Sequence, residues 1–243
     1  VRATAIIATL DEAETIEAIV AEVRPHVDEV LVVDGHSRDG TAELARGAGA
    51  QVIEDRGRGK GDALRCGIDA ATTELVVFID ADGSHRASDI PRLLEPLRTG
   101  EADVVVGSRT RGGSDELHGD LPKFARMIGS DLITLAINYR FDVRLSDSQN
   151  GFRAMTTAAA RDLDLTEDIT TIEQEMICKA LWRGHRIVEI PTHEDRRRVG
   201  ESKIRVGRVA PRYVWCVLRY LAGPGLPPGK ARAARFGTVE QRP

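Results

Sequence analysis

Glu74-Leu75-Val76-Val77-Phe78-Ile79, followed by Asp80-Ala81-Asp82-Gly83-Ser84-His85, is the stretch on which the fold turns. Its first six residues make an apolar run of the length of a buried strand. The next six set two carboxylates two residues apart at the end of that strand. Alternation along an extended segment points Asp80 and Asp82 the same way. Such a pair repels itself unless a cation sits between or beside it. Mg2+ or Mn2+ suits the position, because a hard divalent ion takes one or two carboxylates and completes its shell with phosphate oxygens and water. The plainer reading is a loop whose aspartates serve turn chemistry and helix capping.

Short apolar runs and helical patterns alternate on both sides of this stretch. Thr4–Thr9, Glu29–Asp34, Gln51–Glu54 and Asp103–Gly107 read as further strands. Glu14–Val23, Thr41–Ala48, Lys60–Ala71 and Asp89–Thr99 read as the helices between them. The alternation predicts an α/β fold with a mainly parallel sheet covered by helices on both faces. Ligands of such sheets bind beyond the carboxyl ends of the strands. The polar groups gather there: Thr9 to Glu12, Asp34 to Ser37, Asp80 to His85, and Gly107 to Arg109.

The second half is less regular. Pro122–Tyr139 and Ile172–Arg183 read as helices, the latter closed by Gly184, and Phe152–Met155 and Arg186–Pro191 as strands. Ile204–Leu221 is a basic amphipathic helix, expected to lie beside a membrane or to pack on the domain, and a disordered tail is expected over 223–243. Net charge is −4, but residues 183–243 hold 14 Lys and Arg against 5 Asp and Glu. A basic quarter on an acidic body implies an anionic partner. No segment approaches the roughly 18 uninterrupted apolar residues of a spanning helix, and no secretory signal is visible. Cys66, Cys178 and Cys216 form no Cys-x-x-Cys pair, which argues against a disulfide framework and suits a reducing compartment.

Other constellations carry weaker signals. Asp34-Gly35-His36-Ser37 follows a strand and opens a helix, where a carboxylate can meet a base or a ribose, or simply cap. Gly57-Arg58-Gly59-Lys60-Gly61-Asp62 is no Walker motif, yet it offers backbone N–H groups and a lysine at a helix start, as a diphosphate requires. Asp147 to Arg153 joins a carboxylate, a flexible joint and an arginine, and Arg196 to Lys203 is a basic loop with a glycine hinge. The histidines have no metal-ligand spacing.

Taken in order, Asp34 to Thr41, Gly59-Lys60-Gly61, Asp80-Ala81-Asp82 with His85, Gly107-Ser108-Arg109, Gly151-Phe152-Arg153, Glu175 and Gly200 to Lys203 closely resemble the family 2 glycosyltransferases of GT-A fold. The resemblance is to their dolichyl-phosphate mannose synthase-like branch and runs from about Ala3 to Ile204. It implies a GT-A domain over residues 1–203 and an inverting, metal-dependent transfer of a sugar from a nucleoside diphosphate, such as GDP-mannose or a UDP-hexose, to a polyprenyl or dolichyl phosphate. By the same resemblance, Thr9, Glu12, Asp34, Lys60, Asp80, Ala81, Arg198, Ser202 and Lys203 are expected to bind the donor, and Asp80 and Asp82 to hold Mg2+ or Mn2+, with Ser84 standing at the third metal position in place of the family's glutamine. Asp82, Arg109, Arg126 and Arg153 are expected on the same ground to act on the reacting groups, and Asp147 is added as a catalytic candidate from its own position. The protein is then expected to be cytoplasmic and peripheral at an anionic membrane surface, with no nucleic-acid partner.

The chain departs from that pattern at Gly35, where a second aspartate is usual, at Ser84, where a glutamine is common, and at Ala8 and Leu10-Asp11. A phosphate acceptor needs little general-base help, its second pKa being about 6. An acceptor hydroxyl would need a carboxylate, for which Asp147 is the candidate. A soluble phosphorylated acceptor on the same fold, or nucleotide-sugar binding without turnover, are the rival readings.

Overall fold

The computed structural model describes residues 1–115, 121–198 and 206–223, excepting the side chains of 121–123, 125, 126 and 206–210. The strands are β1 (Ala3–Thr9), β2 (Glu29–Asp34), β3 (Gln51–Glu54), β4 (Leu75–Phe78), β5 (Val104–Ser108), β6 (Arg153–Thr156) and β7 (Ile187–Pro191). The helices are α1 (Ile16–Val23), α2 (Thr41–Gly47), α3 (Lys60–Ala70), α4 (Ile90–Arg98), α5 (Arg109–Gly112), α6 (Leu121–Phe141), α7 (Thr157–Asp162), α8 (Ile172–Arg183) and α9 (Val206–Leu221).

The strands form one sheet in the order β3-β2-β1-β4-β6-β5-β7. All neighbours run parallel except β6, which lies antiparallel between β4 and β5. Every residue of β4 is buried, and so are all but one of β1. That is why both read as unbroken apolar runs: a central parallel strand is covered on both faces. Edge strand β3 exposes Gln51 and Glu54 instead.

Two apolar clusters sandwich the sheet. Ile6, Val76, Phe78, Met176 and Tyr220 belong to one, under α3, α6, α8 and α9, and Ile7, Val77, Leu93 and Phe152 to the other, under α1 and α4. Each such side chain contributes about 1.5–3 kcal/mol by leaving water. Helix α8 ends as its sequence requires, with Gly184 at φ 72° and the His185 N–H donating to the Ala180 carbonyl. Helix α9 packs through Cys216 and Tyr220, which are buried. The expected tail, beyond Gly223, lies outside the described residues.

Candidate active site

Strand β4 ends at Phe78, two residues short of Asp80, and Asp80 to Asp82 form a turn with Gly83 at φ 74°. This corrects the extended alternation expected of the two aspartates. The left-handed position explains the glycine, since a side chain there would also meet Arg198 at 2.6 Å. The two carboxylates face different partners. Asp80 Oδ1 accepts from Lys60 Nζ at 2.7 Å and its Oδ2 lies 3.6 Å from His85, whereas Asp82 Oδ2 pairs with Arg197 at 3.0 Å. Burial alone would raise the Asp80 pKa, but the Lys60 ammonium outweighs it and holds the carboxyl well below the usual range. Lys60 is driven upward in turn: burial opposes its charge, and Asp80 and Glu173 overcome that opposition. Ala81 is buried in the core, and the Ser84 hydroxyl donates to Asp82 Oδ1 at 2.7 Å.

Beside this turn, the loops after β1 and β2 clasp each other. The Asp11 N–H donates to Ser37 Oγ and the Arg38 N–H to Asp11 Oδ1, with Asp11 and His36 at positive φ. The Glu12 N–H donates to Thr41 Oγ1. Asp34 is buried, one carboxylate oxygen taking the Thr9 hydroxyl at 3.2 Å and the other the Ser37 N–H at 2.9 Å. Its charge therefore orders the loops. Gly35 has a physical reason too, because a Cβ would stand 3.1 Å from the Thr9 carbonyl.

The glycine loop before α3 is used differently from the expectation. The N–H groups of Gly61 and Asp62 both donate to the Asp168 carbonyl, and a Cβ on Gly61 would lie 2.3 Å from the Glu167 carbonyl. The helix start is covered by backbone, and these donors are engaged. Only Lys60 reaches the crevice, where it bridges Asp80 and Glu173.

Directly against the turn, Gly151-Phe152-Arg153 brings three separate packing solutions together. A Cβ on Gly151 would crowd Lys60 Nζ at 3.0 Å and Asp80 Oδ2 at 3.2 Å. Phe152 stacks on His85 at 5.0 Å. Arg153 is 1% exposed, and its guanidinium donates to the carbonyls of Asn150, Glu173 and Ser148. Burial lowers its pKa, and the group is not brought into the crevice where a phosphate would meet it. Arg109 instead stands at the crevice wall, bidentate to Asp147 at 2.7 and 3.0 Å and reaching Glu194 at 3.4 Å. Burial pushes the Asp147 pKa up, but Arg109 outweighs it and the net shift is downward.

The basic loop is latched to the aspartate turn by backbone. The Arg198 N–H donates to the Asp82 carbonyl and the Asp195 N–H to that of Ser84. The Arg198 side chain, expected at the donor, turns outward to Glu22 at 2.6 and 2.8 Å, and it is Arg197 that pairs with Asp82. Ser202 and Lys203 lie outside the described residues, as does the side chain of Arg126.

Several acids were not anticipated. Glu173 is buried beside Lys60 with Oε2 unpartnered, and Glu189 binds the Ser146 and Asp147 N–H groups. Asp115, His193 and Asp195 are the one group of three among the described residues whose ligand atoms lie within 4.8 Å of one another. The position of Glu173 in the first turn of a helix was a usable signal; the others arise from long-range packing. By donor type, the carboxylates of Asp80 and Asp82 fit a hard divalent ion. Both are already compensated by cations, which accords with a turn built around positive charge.

Residues 4–170 match the glycosyl transferase family 2 model. Glycosyltransferase AglJ of Haloferax volcanii is 36% identical over 186 residues, which is 76% of this chain but only 60% of that relative's length. The undecaprenyl-phosphate mannosyltransferase of Micrococcus luteus is 34% identical over 223 residues, covering 86% of this chain and 89% of its own. In fold, the chain is similar to glucosyl-3-phosphoglycerate synthase from Mycobacterium tuberculosis, solved with Mn2+, uridine diphosphate and glucosyl-3-phosphoglycerate. The TM-score is 0.73 at 20% identity, over 92% of this chain and 81% of that one.

Proposed function

Because the chain belongs to glycosyl transferase family 2 and is a glycosyltransferase, we propose that it moves a hexose from a nucleoside diphosphate, GDP-mannose or a UDP-hexose, to a polyprenyl or dolichyl phosphate. The observation that carries this reading is the state of Asp147. Both its oxygens are held by Arg109 and its proton affinity is depressed, so it is a poor base for a hydroxyl. A phosphate monoester is largely ionised near neutral pH and needs no base. Its oxygen attacks the anomeric carbon, the bond to the diphosphate breaks on the opposite side, and configuration inverts.

Asp80 and Asp82 would hold Mg2+ or Mn2+, which when bound offsets charge on the leaving diphosphate by several kcal/mol, on the order given for Lewis-acid metals. Arg197 offers a planar fork for diphosphate oxygens, and Lys60 a point charge beside Asp80. The clasped Thr9–Glu12 and Asp34–Ser37 loops form the floor for the nucleoside. The relative named for undecaprenyl phosphate supports the lipid acceptor. Among the described residues no helix is long and apolar enough to cross a membrane.

A hydroxyl acceptor is the second reading, favoured by the unpartnered Glu173 Oε2 in the crevice. Incubation with radiolabelled donor and either polyprenyl phosphate or 3-phosphoglycerate, followed by solvent partition, tests the acceptor. Label in the organic phase is expected; label confined to a water-soluble product sinks the lipid reading. Glu173→Gln should retain transfer to a phosphate, and an abolished turnover with donor binding intact would move the assignment to a hydroxyl.

A further inference from the structure

Three neighbouring strand ends meet beside the clasped loops: Leu10 follows β1, Gly35 follows β2 and Asp55 follows β3. The parallel register sets Asp34 against Glu54, and the Asp55 N–H donates to the Asp34 carbonyl, so Asp55 stands next to Gly35. A Cβ on Gly35 would lie 3.6 Å from Asp55 Oδ2 and equally far from Leu10 Cβ. The side chain missing at position 35 thus leaves a space, and a carboxylate from the adjacent strand borders it.

That carboxylate is held but not satisfied. The Asp55 side chain is 3% exposed, and its Oδ1 accepts from the Gly57 N–H at 2.7 Å. Its Oδ2 receives no hydrogen bond among the described residues. A buried carboxylate oxygen is costly to leave without a donor, so this one calls for a partner from outside the chain. Burial raises the Asp55 pKa, the Gly57 N–H offsets part of the rise, and nearby Asp62 adds to it. Asp34 differs: it spends one oxygen on Thr9 and the other on Ser37. The half-exposed His36 flanks the space, with ring nitrogens 3.6 Å from Asp55 Oδ1 and 3.8 Å from Glu54 Oε2. Both distances are too long for hydrogen bonds, so a ring N–H remains to be used.

We propose that Asp55 reads the nucleobase of the donor and selects uracil, with His36 donating to the neighbouring base carbonyl. Uracil presents one ring N–H, at N3, between two carbonyls. That edge matches one open carboxylate oxygen beside one N–H donor. Guanine sets N1–H and an amino group side by side and asks for two carboxylate oxygens, of which Oδ1 is already engaged by Gly57. Cytosine places a bare ring nitrogen where uracil has its N–H, and lone pair would face lone pair. Gly35 serves this reading by its smallness, since any side chain there would stand between the base edge and Oδ2.

The inference rests on the nucleotide-donor part of the proposed function and narrows it from a choice of GDP- or UDP-sugar to UDP. It is independent of the acceptor, because the experiment contains none. Isothermal titration calorimetry of the full chain with Mn2+ compares UDP, GDP, CDP and 3-methyl-UDP, the last lacking the N3–H. UDP should bind more tightly than GDP or CDP by about tenfold or more, and methylation at N3 should cost about thirtyfold.

Asp55→Asn turns the open acceptor into a donor. It should weaken UDP by about thirtyfold, leave 3-methyl-UDP little changed and bring CDP level with UDP or above it. A structural role for Asp55 would weaken all four ligands alike, and that result overturns the proposal. Equal affinity of the wild type for UDP and 3-methyl-UDP also overturns it, and this arm needs no variant to fold. A preference for GDP or CDP sinks the uracil assignment while the nucleotide-donor reading stands. Failure of all four ligands to bind removes both.

Discussion

Two charged regions meet at the candidate site, joined through Glu173, and they are built on opposite terms. At the aspartate turn, Asp80 and Asp82 are held by long side chains, Lys60 and Arg197, that are about a quarter exposed and can be exchanged for a ligand. In the second, Arg109 and Asp147 make a closed bidentate pair, and Arg153 is sealed among backbone carbonyls. The first region has charges available to a reaction. The second has charges consumed by the architecture. Removing a charge should thus cost activity on one side and stability on the other.

The sharpest way to break this contrast is Asp82→Asn, which keeps an oxygen for the Ser84 hydroxyl. Turnover should fall about a thousandfold, roughly 4 kcal/mol in barrier, with the melting temperature little changed. A large thermal loss with modest kinetic change would place Asp82 with the structural group. Arg153→Met is the converse. It leaves buried carbonyls without donors and should lower stability by about 3 kcal/mol, or roughly 10 °C in Tm. Donor binding measured on the folded fraction should stay near wild type.

Asp147→Asn probes the same region through pH and, because the amide keeps one acceptor for Arg109, should cost about 2 kcal/mol at neutral pH. Because the folded-state pKa of Asp147 is lowered, its contribution is present above the unfolded value of about 3.9 and is lost as pH falls through the folded one. The wild type should therefore lose stability more steeply than the variant when acidified below about pH 4; parallel melting curves would show that the pair contributes nothing. The smallest effect belongs to Glu22→Gln. The Arg198–Glu22 pair is exposed on both sides, so its loss should stay under about 1 kcal/mol. A larger change would mean that the basic loop is held mainly by that pair and not by its backbone bonds to the aspartate turn.

The unequal halves of the chain also explain what could be read in advance. Through β4, every strand but the edge strand β3 is built on an apolar run and a polar loop follows it directly, so periodicity locates both. Beyond β5 the same signals still locate β6, α8 and β7 but not how they pair. Nothing in Arg153-Ala154-Met155-Thr156 marks an antiparallel strand wedged between β4 and β5, because direction is set by partners distant in sequence. Gly151-Phe152-Arg153 looks like a phosphate clamp, and only burial reveals an arginine bonded inward. Glu173, Glu189 and Glu194 acquire meaning from Lys60, Asp147 and Arg109, residues some 40 to 110 positions away. Local patterns report which face a residue occupies, not which distant charge it will meet.

The seam between the start of α3 and residues 167–169 has a bearing on protein engineering. With Gly61 fitted directly against the Glu167 and Ile169 carbonyls and its N–H bonded to Asp168, the first and second halves of the chain share a joint with no side chain to adjust. A chimera that takes its first half from one relative and its second from another must carry Gly59–Gly61 and residues 167–169 as one cassette. Recombination that separates them would misplace Lys60 between Asp80 and Glu173, whatever the quality of either parent's site.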